Sequence, residues 1–219
     1  MSITANLDAI RASIPEHVTL VAVSKTKPKE AIIEAYNAEQ RVYGENKVQE
    51  MTQKWETLPK DITWHMIGHL QRNKVKYMAE FVSLIHGVDS FRLLKEINKQ
   101  GLKHNRVIPC LLQMHIAEED TKFGLNAQEL NALLDSDDFK SLENIKIKGL
   151  MGMATFTDNE NQIRKEFKSL KTIFDTIKQI IPNIDTLSMG MSSDYKIAIE
   201  EGSTMVRIGS SIFGSRNYS

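Results

Sequence analysis

The sequence predicts an α/β chain folded as a single (β/α)8 barrel with a leading N-terminal helix. Two observations carry this. Short apolar runs alternate with amphipathic helical patterns along the chain, and eight such runs occur within 219 residues. Alternation of this kind implies parallel strands joined by right-handed crossovers, and eight units in a chain of this length make a compact barrel. A doubly wound open sheet is the rival, but it has no need of eight strands. No linker, low-complexity tract or repeat divides the chain, so residues 1–219 are expected to form one domain.

The elements follow in order. Ile3, Leu7, Ile10 and Ile14 fall on one helical face, and Pro15 ends that leading helix, which is expected to cover the barrel bottom. Strand one runs from Thr19 to Ser24. Pro28 then opens a helix with Ile32, Ile33 and Tyr36 inward. Strand two is Arg41 to Tyr43, followed by Gly44-Glu45-Asn46 and a polar helix carrying Val48, Met51 and Trp55. Strand three is Ile62 to Ile67, and strand four is Phe81 to Val88. Asp89-Ser90 then caps a helix with Phe91, Leu94 and Ile97. Strand five is Val107 to Met114, and strand six is Ile145 to Met151. The clearest helix follows, with Ile163, Phe167, Leu170, Ile173, Phe174, Ile177 and Ile180 on one stripe. Strand seven is Thr186 to Met189, and strand eight is Thr204 to Ile208. The last helix is missing or vestigial.

Composition narrows the function classes. The chain has 28 basic and 28 acidic side chains, so nothing in its charge balance points to nucleic acid or an anionic membrane. The single cysteine, Cys110, fits a reducing compartment and sits in an apolar stretch as a core thiol. No CxxC or HExxH pattern occurs, and the six histidines lack metal-ligand spacing, so no metal is expected. There is no signal-peptide pattern and no apolar run of transmembrane length, which makes the cytoplasm the expected location.

Lys25 is the most informative residue. It ends the run Val18-Thr19-Leu20-Val21-Ala22-Val23-Ser24, a strand buried on both faces. Ligands of α/β folds sit at the carboxyl ends of such strands. A partly desolvated lysine has a depressed pKa and forms Schiff bases with aldehydes. The plainer alternative is a lysine that reaches solvent beside Lys27 and Lys29.

The loops after strands seven and eight weigh against that alternative. Barrels often bind phosphate there. After strand seven, Ser192 and Ser193 are hydroxyl donors ahead of a helix from Tyr195 to Glu200. After strand eight, Gly209 lets a backbone N–H approach an anion closely, and Ser210 and Ser211 add hydroxyls. Helix capping by Ser193 or Asp194 and a simple small-residue turn are the competing explanations. Strands one and eight are neighbours in a closed barrel. A ligand with an aldehyde at one end and a phosphate at the other bridges these places. Pyridoxal 5′-phosphate is such a ligand, with sugar phosphates in competition.

Several segments together resemble a known family. They are Val21-Ala22-Val23-Ser24-Lys25, Gly44-Glu45-Asn46, His65 to Gln71, Thr121 to Leu125, Ser188 to Ser192 and Arg207-Ile208-Gly209. In this order they resemble the pyridoxal phosphate homeostasis proteins, single-domain relatives of the alanine racemase N-terminal barrel. The resemblance runs from about Leu7 to Gly214. It implies that Lys25 carries the Schiff base to the cofactor and that Ser192, Gly209 and Ser210 bind the phosphate. It implies that Arg207 faces the pyridine nitrogen and that Asn46 and Met191 line the ring site. His65 and His69 are expected to pack rather than bind.

A guanidinium is always charged and offers only donors, so the ring nitrogen it meets is an unprotonated acceptor and a poorer electron sink. The resemblance also implies that racemases of this lineage take a second base from an additional C-terminal domain. The chain stops soon after strand eight, and Tyr218 in its tail is not expected to replace that base. The expected function is therefore holding pyridoxal phosphate within vitamin B6 and amino-acid homeostasis, without robust turnover. The alternative is a pyridoxal phosphate-dependent amino-acid racemase. Expected partners are the cofactor and the apo forms of enzymes that use it, with the chain a monomer.

Overall fold

The computed structural model describes residues 2–119, 123–181 and 183–214. Eight parallel strands close into one barrel in sequence order. They are β1 (Thr19–Val23), β2 (Val42–Glu45), β3 (Thr63–Met66), β4 (Leu84–Val88), β5 (Ile108–Gln113), β6 (Ile145–Met151), β7 (Thr186–Met191) and β8 (Met205–Ile208). The helices are α1 (Ile3–Ala12), α2 (Lys29–Asn37), α3 (Val48–Thr57), α4 (Phe91–Lys103), α5 (Ala127–Asp135), α6 (Asp137–Lys140), α7 (Glu160–Ile177), α8 (Tyr195–Glu200) and α9 (Ser210–Phe213). A 3-10 turn, Arg72–Tyr77, stands where a helix would follow β3. No helix among the described residues is long and apolar enough to cross a membrane.

The expected strands all form, with ends shifted by a residue or a few. The helix stripe of α7 is buried at Ile163, Phe167, Leu170, Phe174 and Ile177, but Ile180 lies past its end and is exposed. The sequence reading passed over α5. Its start is marked by a capping box in which Asn126 accepts from the Glu129 N–H and Glu129 accepts from the Asn126 N–H.

The leading helix does not cover the barrel bottom. It stands in the outer ring against α2 and α9. Asn6 donates to the Ile212 carbonyl near the strand carboxyl ends, and Arg11 donates to Ala38 O beyond the far end of α2. The physical reason is the four-residue α9: too short to cover β8 and β1, it leaves a place that α1 fills.

Two cores result. Leu20, Ala22, Tyr43, Trp64, Met66 and their neighbours face the helices, whereas Val21, Leu84, Leu111, Met151 and Met205 form a cluster inside the barrel. Strict alternation would put Met151 on the same side as Ile147. It does not, because the register slips by one residue: Cys110 pairs with Ile147, but Leu111 pairs with Gly149. The slip turns the rest of β6 over and sends Met151 and Met153 inward. Gly149 makes this possible. Its φ is +153°, and an added Cβ would lie 1.7 Å from Thr186 O. Gly149→Ala is therefore expected to destabilise the barrel by about 3 kcal/mol or more, measured by urea unfolding. A variant as stable as the parent would show that the slip does not depend on glycine.

Candidate functional site

Alternation along β1 places Lys25. Val21 faces the barrel interior, and Val23 and Lys25 follow at the same parity, while Leu20 and Ala22 face the helices. Lys25 thus emerges half-buried at the mouth of the barrel. There it lines a cavity of about 430 Å3 with Asn46, Met191, Ser192, Arg207, Gly209 and Ser210. All seven residues singled out from the sequence meet in this one place. The cavity also takes Ser193, a hydroxyl donor expected in the loop after β7, and Val23, Lys27, Ile67, Met153, Phe156 and Gly214, which the sequence had not assigned to it; Ser211, also expected to add a hydroxyl, does not line it. Ile67 was open to inference, standing two residues beyond inward-facing His65. Met153 was not, because its aim depends on the slip in β6.

One end of the cavity is rich in hydrogen-bond donors. Gly209 N–H points at Ser192 Oγ, 3.3 Å away, so the loops after β7 and β8 meet directly. A Cβ on Gly209 would stand 3.1 Å from Val23 O, which explains why a small residue is needed where β8 closes on β1. Asp194 does not cap α8 with its side chain. It accepts from Met191 N–H at 2.5 Å and so ties back the loop bearing Ser192 and Ser193. A second register slip between Ser188 and Met191 lets both of these residues face inward.

Arg207 is the most buried of the seven, at 4% exposure. It donates to Ser188 Oγ (2.7 Å) and to Gly152 O (3.2 Å). Behind it lies a relay of groups with no sequence-level signal. Ser188 Oγ is 3.0 Å from His86 Nδ1, and His86 Nε2 is 3.0 Å from His65 Nδ1. An arginine only donates, so Ser188 Oγ accepts from Arg207. The proton positions in the Ser188–His86 and His86–His65 bonds follow the histidine tautomers. Burial pushes the His65 pKa down to about 3, and burial, then His65 and Arg207, push His86 well below its usual range. Both rings are neutral near pH 7. Burial also lowers Arg207 to about 10, opposed by Asp194, which leaves the guanidinium charged at neutral pH.

The backbone at Lys25 is held from outside the barrel. Ser24 to Lys27 form a turn closed by Lys27 N–H to Ser24 O (3.0 Å), with Thr26 at φ +64°. Lys54 Nζ on α3 donates to Ser24 O (2.8 Å), Glu45 Oε1 (2.8 Å) and Glu50 Oε1 (2.7 Å). Glu50 Oε1 also accepts from Thr26 N–H (2.6 Å), and Ser24 Oγ donates to Glu45 Oε1 (2.6 Å). Burial raises the Glu45 carboxyl, with Lys54 opposing.

His65 packs inside the barrel, and His69 lies apart from the Lys25 cavity. His69 is 3.3 Å from Asp89 and stacks on Phe123, with ring centres 4.2 Å apart. Thr121 and Lys122 of the expected motif, and Tyr218, lie outside the described residues.

A closed parallel barrel with a lysine at the end of β1 and donors after β7 and β8 defines a class. The alanine racemase N-terminal domain model matches residues 1–217. The pyridoxal phosphate homeostasis protein of Aquifex aeolicus is 42% identical over 201 residues, 91% of this chain and 87% of that one. That of Escherichia coli K12 is 39% identical over 212 residues, covering 94% and 88%. PipY of Synechococcus elongatus PCC7942, solved with pyridoxal phosphate bound, is 35% identical with a TM-score of 0.89, covering 97% of this chain and 100% of that one. The chain belongs to the pyridoxal phosphate homeostasis protein family, within the alanine racemase N-terminal domain class.

The buried histidines set a pH dependence. Each is neutral when folded and takes a proton near pH 6.5 when unfolded, so the unfolded state binds more protons as pH falls. Stability is full above pH 6.5 and is lost below it. The loss is about 1.4 kcal/mol per pH unit per histidine, or about 4 kcal/mol for the pair by pH 5. Denaturant titrations at pH 7 and pH 5 measure it. A His65→Gln/His86→Gln variant is expected to show a much flatter profile, and an unchanged slope would contradict the assignment.

Proposed function

We propose that the chain binds pyridoxal 5′-phosphate in the Lys25 cavity and serves pyridoxal phosphate and amino-acid homeostasis by holding the cofactor. The observation that carries this is the convergence of a half-buried lysine, three serine hydroxyls, the Gly209 N–H and a buried guanidinium on one cavity. That lining fits the cofactor: a primary amine for its aldehyde, hydroxyl and N–H donors for its phosphate, and the apolar side chains of Val23, Ile67 and Met153 for its ring. The family membership and the cofactor bound in PipY support the same reading.

Bound pyridoxal phosphate supplies an aldehyde that condenses with primary amines and a ring that accepts electrons. The roles here belong to the chain's own residues. Lys25 would be the covalent anchor. Ser192, Ser210 and the Gly209 N–H would hold the phosphate, and Asn46 and Met191 would flank the ring. Arg207 would offer an N–H donor to the ring nitrogen, which would favour the unprotonated, weakly electron-accepting form. The Ser188–His86–His65 relay fixes the guanidinium plane. A racemase would need a second proton acceptor. Among the described residues, the cavity lining contains no His, Tyr, Cys, Asp or Glu. That lining supports holding over turnover.

The proposal extends to residues 1–219 as one cofactor-binding domain, monomeric and cytoplasmic, with apo enzymes as recipients. Its zero net charge supports no nucleic-acid partner. Borohydride reduction with added cofactor is expected to place a pyridoxyl phosphate group on the Lys25 peptide, read by mass spectrometry, and Lys25→Ala is expected to lose it. Ser192→Ala is expected to weaken inorganic phosphate binding about tenfold, by loss of a hydrogen bond to a charged group. Intact protein that gains no mass in saturating cofactor would refute the proposal.

A further inference from the structure

The cluster around Lys54 lines no part of the Lys25 cavity, yet among the described residues it brings a buried lysine against two carboxylates. Lys54 is 5% exposed and Glu45 is fully buried. They lie between the barrel wall and α3, on the opposite side of β1 and β2 from the cavity. Glu45 Oε2 has no hydrogen-bond partner. Buried ion pairs gain little stability over apolar packing, because desolvation offsets the attraction. Their geometry is what an apolar side chain could not supply.

That geometry is specific. Lys54 holds the carbonyl of Ser24, the residue before Lys25. Glu50, which Lys54 itself fixes, holds the N–H of Thr26, the residue after it. Thr26 has φ +64°, a left-handed conformation that a β-branched residue rarely adopts and that costs about 1–3 kcal/mol. The bond to Glu50 holds it there. The turn thus sets where the Lys25 stem leaves the barrel wall. A lysine side chain has four rotatable bonds, so a small rotation of its Cα moves its amine across the cavity mouth.

We infer that Lys54 and Glu50 are positioning residues for Lys25, clamping the two peptide groups that flank it so that its amine enters the cavity rather than solvent. This rests on the cofactor reading for its purpose but not for its test.

Two variants test it: Glu50→Ala, which removes the Thr26 acceptor at a partly exposed position, and Lys54→Met/Glu45→Gln, which neutralises the buried pair together. The first readout needs no cofactor. Reductive methylation by formaldehyde is followed at Lys25, with exposed Lys196 as internal control. The second is the rate at which Lys25 captures pyridoxal phosphate, with affinity for inorganic phosphate alongside. The clamp predicts opposite signs. Methylation of Lys25 rises about fivefold as the turn opens to solvent, and cofactor capture slows about tenfold or more. Phosphate affinity stays that of the parent.

Unchanged methylation and capture in either folded variant would overturn the inference. So would loss of phosphate affinity in step with capture, which would mark general loosening. If the parent captures no cofactor, the function proposed above falls, and the methylation change alone decides the clamp.

Discussion

Closure of the sheet between β1 and β8 is the constraint on which the rest depends. The two strands pair in parallel from Thr19 with Met205 to Ala22 with Ile208. They are separated by almost the whole chain, so the pairing forms only when all eight strands are in order. Once formed, it sets the end of β1 beside the end of β8. Lys25 and Gly209 become neighbours on one rim, and Gly209 can then meet Ser192 from β7. The cavity is thus a property of the closed barrel and not of any local segment.

The barrel interior holds two kinds of side chain. The cluster of Val21, Leu84, Leu111, Met151 and Met205 is apolar, and beside it His65, His86, Ser188 and Arg207 form a polar layer, with Val21 paired to Arg207 and Leu84 to His65. Polar groups at this depth are tolerable only when each is satisfied. Arg207 cannot accept, so it donates to Ser188 Oγ and Gly152 O, and Ser188 is bonded in turn to His86 and His86 to His65. The guanidinium therefore faces the cavity with a fixed plane and fixed charge. An acidic group in its place would favour a protonated ring. The same layer that fills the barrel thus bears on how strongly a bound ring could draw electrons.

Much of this was open to the sequence, for reasons that are local. Lys25 was visible because a single charged residue ends a continuous apolar strand. Ser192, Gly209 and Ser210 were visible because small polar residues follow two strands at consecutive ends of the barrel. What escaped was what depends on distant partners or broken periodicity. His86 sits in an otherwise apolar strand, and its partner Ser188 is 102 residues away. Met153 takes its direction from a one-residue slip in β6 that alternation does not anticipate. Lys54 and Glu50, four residues apart on a polar helix, have the pattern of an ordinary surface ion pair. Only the packing of α3 against β2 and the turn after β1 buries Lys54. The position of α1 escaped similarly: periodicity gives a helix an apolar face but does not say what it lies against.

The alternation of β1 separates two tasks along three consecutive residues. Ser24 faces outward, where its hydroxyl and carbonyl meet Glu45 and Lys54. Lys25 faces inward to the cavity. Thr26, in the turn that follows, gives its N–H to Glu50. Because Ser24 and Lys25 point to opposite faces, the groups that hold the backbone do not compete with those that line the cavity. The outward layer can be rigid and highly charged without placing Glu45 or Glu50 on the cavity side of the wall. A carboxylate on the inward side would raise the amine's pKa and oppose condensation with an aldehyde. Placing Glu45 and Glu50 behind the strand gives the turn its anchors while the barrel wall keeps their charge on the other side from the cavity that Lys25 enters.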